Sequence, residues 1–88
     1  MTLAEAKKLC SAVGHSLQKT GYGDELRFNY KGGSEATAGY TDDIEDAVGS
    51  SIYTYLKDEG LDHIIYDDDM DIEDLIVWTK THILPKVN

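Results

Sequence analysis

Apolar residues recur at helical steps from the start of the chain: Leu3, Ala6, Leu9, Cys10 and Val13 form one stripe. Thr2 stands three residues before Glu5, the spacing of a capping box, and Gly14 is placed to end the helix. At His15 the period changes. "HSLQKT" predicts a weak strand, and "GYGD" (21–24) a turn. "ELRFNY" (25–30) alternates, with Leu26, Phe28 and Tyr30 on one face and Glu25, Arg27 and Asn29 on the other. "KGGS" (31–34) predicts a hairpin turn with positive φ at Gly32 or Gly33. "EATAGYT" (35–41) alternates again and puts Ala36, Ala38 and Tyr40 inward, the small residues admitting a helix close over the strand.

Helical spacing returns with Ile44, Ala47, Val48, Ile52, Tyr55 and Leu56. Asp42 with Glu45 is its cap signature, Lys57 its last turn and Gly60 its end. "LDHIIY" (61–66) reads either as a fourth strand or as an irregular packing segment. Ile72, Leu75, Ile76, Thr79 and Ile83 space a third helix, capped by Asp69 or Asp71 and stopped by Pro85. The expected fold is a single α+β domain over residues 1–88: a small antiparallel three-stranded sheet, or four-stranded if 61–66 joins it. Helices pack mainly on one sheet face, in the order α-β-β-β-α-(β)-α.

Charge changes this picture more than composition does. Residues 1–41 balance at +1, with five bases against four acids. Residues 42–74 hold thirteen acids and only Lys57, a balance of −12, and residues 75–88 add two lysines. Direct binding to DNA, RNA or anionic lipid is disfavoured, because like charges repel and no basic patch exists. A basic protein surface is the natural partner. No run of 18 apolar residues predicts a membrane span. The helical opening "MTLAEAKKLC" lacks the apolar core of a signal peptide, and a lone Cys10 makes no internal disulfide, so a cytoplasmic home is expected.

Motifs with chemistry are few. Asp67, Asp69 and Asp71 match the first three ligands of an EF-hand loop, but Ile72 stands where the loop needs Gly and Trp78 where it needs Glu. Cys10, His15, His63 and His82 lack zinc-ligand spacing. Cys10 falls on an apolar stripe, the place of an inert thiol. "GYG" and "KGG" lack the context of a phosphate loop. The expectation is no enzyme, no metal and no cofactor.

"GGSEATAGYTDDIEDA" (32–47) resembles uncharacterised small proteins of bacterial phages and mobile elements, which carry Gly-Gly, Glu-Ala-Thr-Ala, Tyr-Thr-Asp-Asp and Asp-Ala in that order. The likeness extends loosely over residues 2–50. It implies the α-β-β-β-α order and a mobile-element origin within a bacterial host cell, and implies no activity. In size and charge alone the chain is also similar to the small acidic inhibitors that phages direct at nucleic-acid machines, anti-CRISPR proteins and other DNA mimics among them.

"YDDDMDIEDLIVW" (66–78) sets six carboxylates into eight positions and then turns apolar. Helix capping uses three or four of them. Asp42, Asp43, Glu45 and Asp46 repeat the design one helix earlier. Merged on one side, these and Asp67, Asp68, Asp69, Asp71, Glu73 and Asp74 would present a phosphate-like field, with Tyr53, Tyr66 and Trp78 as aromatic anchors. The expected function is an acidic inhibitor that binds a basic nucleic-acid-binding protein. The alternative is a self-associating adaptor, a homodimer for example, whose acids serve solubility.

Overall fold

The structure, a computed structural model, describes residues 1–30 and 38–87. It is an α+β fold. Helix α1 (Leu3–Ala12) leads into strands β1 (His15–Lys19), β2 (Leu26–Tyr30) and β3 (Gly39–Thr41). Helices α2 (Ile44–Asp58), α3 (His63–Asp67), α4 (Ile72–His82) and the one-turn α5 (Leu84–Val87) follow. The strands form an antiparallel sheet in the order β1-β2-β3.

Helices α1, α2 and α4 each begin where a side-chain oxygen takes an otherwise unpaired N–H. Thr2 Oγ1 accepts from the Glu5 N–H at 3.1 Å. Helix α2 is capped one residue later than the Asp42/Glu45 signature predicts: Asp43 Oδ1 accepts from the Asp46 N–H at 3.2 Å. Thr41 Oγ1 in turn accepts from the Asp43 N–H, also at 3.2 Å, which fixes the entry to the helix. At α4 the cap is reciprocal. Asp71 Oδ1 accepts from the Asp74 N–H at 2.9 Å, and Asp74 Oδ2 accepts from the Asp71 N–H at 3.2 Å.

The core lies between the sheet and the helices. Leu9, Leu26, Ile52, Val48 and Leu56 are fully enclosed, and Leu17, Leu75 and Ile76 nearly so. Helices α1 and α2 cover one face of the sheet, and α4 stacks across α2 and α1. Gly49 permits that stacking, since a Cβ there would lie 3.0 Å from Ile72 Cγ1. The first turn of α4 is thereby brought against the N-terminal half of α2.

Two further expectations are corrected. Residues 61–66 form no strand. Ile64 and Ile65 donate backwards to the carbonyls of Leu61 and Asp62, three residues earlier, and the segment becomes α3. Tyr40 does not point inward: β3 pairs Phe28 with Gly39 and Arg27 with Tyr40, so Tyr40 shares the outer face with Arg27 and is 47% exposed. The period of two makes a one-residue difference in register reverse every side chain. Gly39 is the small inward position, and it admits the Phe28 ring rather than a helix: a Cβ on Gly39 would lie 2.3 Å from Phe28 Cζ. Helix α4 ends at His82 with Ile83 as its C-cap, two residues before Pro85, as a proline stop requires. Pro85 itself lies in the first turn of α5, where its missing N–H costs nothing. The hairpin glycines Gly32 and Gly33, and Ala36, lie outside the described residues.

Candidate protein-binding surface

The acidic block is neither one helix nor one loop. Asp67 ends α3, and Asp68 is its C-cap. Asp69 has φ +50°, the left-handed conformation that usually ends a helix with glycine. The Asp68 N–H donates to Ile64 O, and the Met70 N–H reaches back to Ile65 O at 3.0 Å. That six-to-one hydrogen bond across a left-handed residue is a Schellman closure. Asp71 then caps α4, and Asp74 completes the box. Of six carboxylates, two are committed to capping hydrogen bonds: Asp71 and Asp74. Asp67, Asp68, Asp69 and Glu73 remain, all exposed.

Around this turn the surface is hollowed on both sides of α4. On the α2 side lies an open groove of about 590 Å³. Ile65, Met70, Ile72 and Leu75 supply its apolar lining. Gly49, Ser50, Tyr53 and Thr54 come from α2. Asp46 from the start of α2 and Asp71 from the start of α4 complete it. Two of the acids expected to merge therefore border one cavity, because the Gly49–Ile72 contact brings the two helix starts together. On the opposite flank of α4 a second hollow, about 450 Å³, gathers Asp68, Asp74, Val77, Trp78 and His82. The Trp78 and His82 rings lie 5.2 Å apart, tilted by 41°. Met70 borders both hollows.

Other candidate residues are placed elsewhere. Asp42 faces a hollow at the end of the sheet with Asp24, Glu25, Tyr22 and Tyr40. Glu45 Oε1 lies 3.6 Å from the amino group of Met1. Asp43 is spent on capping. The acids of 42–46 thus divide among separate surfaces rather than forming one field with 67–74. Tyr66 is 67% exposed, and its hydroxyl shares a 3.1 Å hydrogen bond with that of Tyr53 across α2 and α3. That hydrogen bond is the main reason the Tyr66 phenol lies above its ordinary value. Ser50, Thr54, Ile65 and Met70 were not marked by sequence as surface-forming. The signal for Met70 was its solitary position among aspartates, the place where a Schellman turn sets its apolar contact.

Cys10 and His15 lie inside. Cys10 is fully buried, and burial raises its thiol above the ordinary value, against a smaller opposing effect of the Ser51 hydroxyl. Among the described residues, no group of three or more His, Cys, Asp or Glu could hold a metal ion. No described helix is long and apolar enough to cross a membrane. No known protein family, no curated protein and no solved structure matches this chain.

Proposed function

We propose that this chain is a small acidic, non-enzymatic inhibitor that binds a basic nucleic-acid-binding protein, in the manner of phage anti-defence proteins acting in the bacterial cytoplasm. The observation that carries the reading is the joining of two acidic helix starts, through Asp46 and Asp71, at one apolar-lined groove. Opposite charge steers encounter at long range, and an apolar floor retains the partner once contact is made. The carboxylates of Asp67, Asp68, Asp69 and Glu73 are exposed and make no capping hydrogen bond, and Asp68 borders the hollow on the opposite flank of α4. A competing reading is self-association, favoured by Val77, which is 61% exposed beside Trp78.

The test is affinity capture from bacterial lysate at low and high salt, followed by elution with duplex DNA or RNA. The expected result is a nucleic-acid-binding protein that salt weakens and nucleic acid displaces. The double variant Asp67→Lys, Asp68→Lys loses it. Both residues sit at the C-terminal end of α3, where cations are tolerated, so the fold survives. Capture that nucleic acid does not compete away, or that the double variant retains, overturns the inhibitor reading. A concentration-dependent dimer in sedimentation that Val77→Lys dissolves establishes the adaptor instead.

A further inference from the structure

The groove between α2 and α4 specifies its occupant more narrowly than the net charge of −9 does. At about 590 Å³ it falls within the range of sites that hold a side chain and its neighbours rather than a whole domain. Its apolar lining comes from Ile65, Met70, Ile72 and Leu75, and no basic residue borders it. Its charged groups are both carboxylates. Asp71 uses Oδ1 to cap α4 at 2.9 Å, which leaves Oδ2 for another donor. Asp46 makes no side-chain hydrogen bond or ion pair among the described residues. Tyr53 adds an aromatic ring on the α2 wall.

We infer that the groove receives an arginine-bearing segment of the basic partner, with the guanidinium directed to Asp46 and Asp71 and an adjacent apolar residue on Ile65, Met70 and Leu75. This rests on the proposed inhibitor reading and names the anchor of that interface. Arginine fits where lysine fits less well. A planar fork can serve two carboxylates from different helices at once, it stacks on an aromatic ring, and it is more weakly hydrated than an ammonium. Its three methylenes suit the apolar lining, so both the stem and the head find a complement.

The test uses the whole chain labelled with ¹⁵N, titrated with the peptide acetyl-Leu-Arg-Leu-amide and followed by amide chemical shifts. The citrulline analogue, equal in shape but uncharged, and the lysine analogue are the comparison probes. Saturable shifts are expected at Gly49, Ser50, Tyr53, Thr54, Met70 and Asp71. The citrulline peptide should bind roughly tenfold more weakly, and the lysine peptide should fall between. Ser50→Trp, which fills the groove from an exposed position, should abolish the shifts. Asp46→Asn and Asp71→Asn should each weaken binding, and asparagine at 71 keeps the cap of α4. If Ser50→Trp fails to fold, the two asparagine variants carry the comparison. Shifts spread evenly over Asp67, Asp68 and Glu73, or equal affinity for the arginine and citrulline peptides, overturn the inference. A Ser50→Trp protein that still captures the partner, while Asp67→Lys, Asp68→Lys does not, overturns the groove and leaves the inhibitor reading standing.

Discussion

The backbone N–H of Met70 donates to the carbonyl of Ile65 at 3.0 Å, and Asp69 between them stands at φ +50°. This bond closes α3, turns the chain into α4 and seats both apolar residues against the core. Aspartate adopts that conformation more readily than most residues but less readily than glycine. Asp69→Gly should therefore stabilise the protein by about 0.5 kcal/mol, since relief of backbone strain slightly exceeds the added unfolded-state entropy. Asp69→Val should cost about 1–2 kcal/mol, because a β-branched residue resists positive φ. Urea denaturation of both variants measures the difference, and equal midpoints would show that the turn is unstrained.

Neighbouring aspartates at the start of α2 should behave unequally. Asp43 accepts from the Asp46 N–H, whereas Asp42 precedes the cap. Asp43→Ala should cost about 1 kcal/mol, and Asp42→Ala should change stability by less than about 0.5 kcal/mol. Thermal melts of the two single variants separate them. The reverse order would move the cap back to the position that the Asp42/Glu45 spacing suggests.

Gly39 and Phe28 should be coupled. A methyl at position 39 would enter the space of the Phe28 ring, 2.3 Å from Cζ. Gly39→Ala should destabilise by about 1–3 kcal/mol, the usual range for overpacking. Shortening the ring with Phe28→Leu should make the second substitution milder than it is in the wild-type background. A double-mutant cycle reads the interaction directly, and strictly additive costs would mean that the ring moves aside freely.

His15 gives stability a pH dependence of known sign. It is 3% exposed, and burial holds its imidazole below the ordinary value of 6.5, against smaller raising effects of the Val13 backbone and Asp58. The unfolded chain therefore binds a proton that the folded chain resists. Its contribution is complete above the unfolded value and is lost as pH falls through the folded one. The melting temperature should drop as pH falls below about 7, and His15→Leu should flatten that drop. A flat wild-type profile below that pH would disprove the buried neutral state.

The three described helices with strong apolar stripes were legible from their spacing: Thr2 marked the start of α1, the Ile44–Leu56 stripe gave α2 with its cap one residue early, and the start of α4 was left between Asp69 and Asp71. The strands were legible from alternation. Facing was harder. "EATAGYT" alternates equally well in both registers, and only the Phe28 ring over Gly39 decides which side is inward. The stretch 61–66 was ambiguous because a short apolar run has no period to measure, and its local hydrogen bonds are invisible before folding. The acids were easy to count and hard to place. The meeting of Asp46 and Asp71 at one groove depends on the close approach of Gly49 to Ile72, a contact between residues 23 positions apart. The groove itself belongs to tertiary packing, so no single segment announced Ser50 or Thr54 as part of it.

Cys10, the only thiol in the chain, is fully enclosed beneath α2 and held in its unreactive protonated form by burial. A thiol reagent can reach it only in molecules that have opened. With reclosing faster than modification, the labelling rate counts the open fraction at equilibrium; with reagent in excess, it reports the opening rate itself. The chain thus carries its own stopwatch for conformational opening, one that needs no dye, no engineered probe and no assay of function. Any partner that closes over the folded form must slow it, so even a ligand of unknown identity would announce itself as a longer-lived thiol.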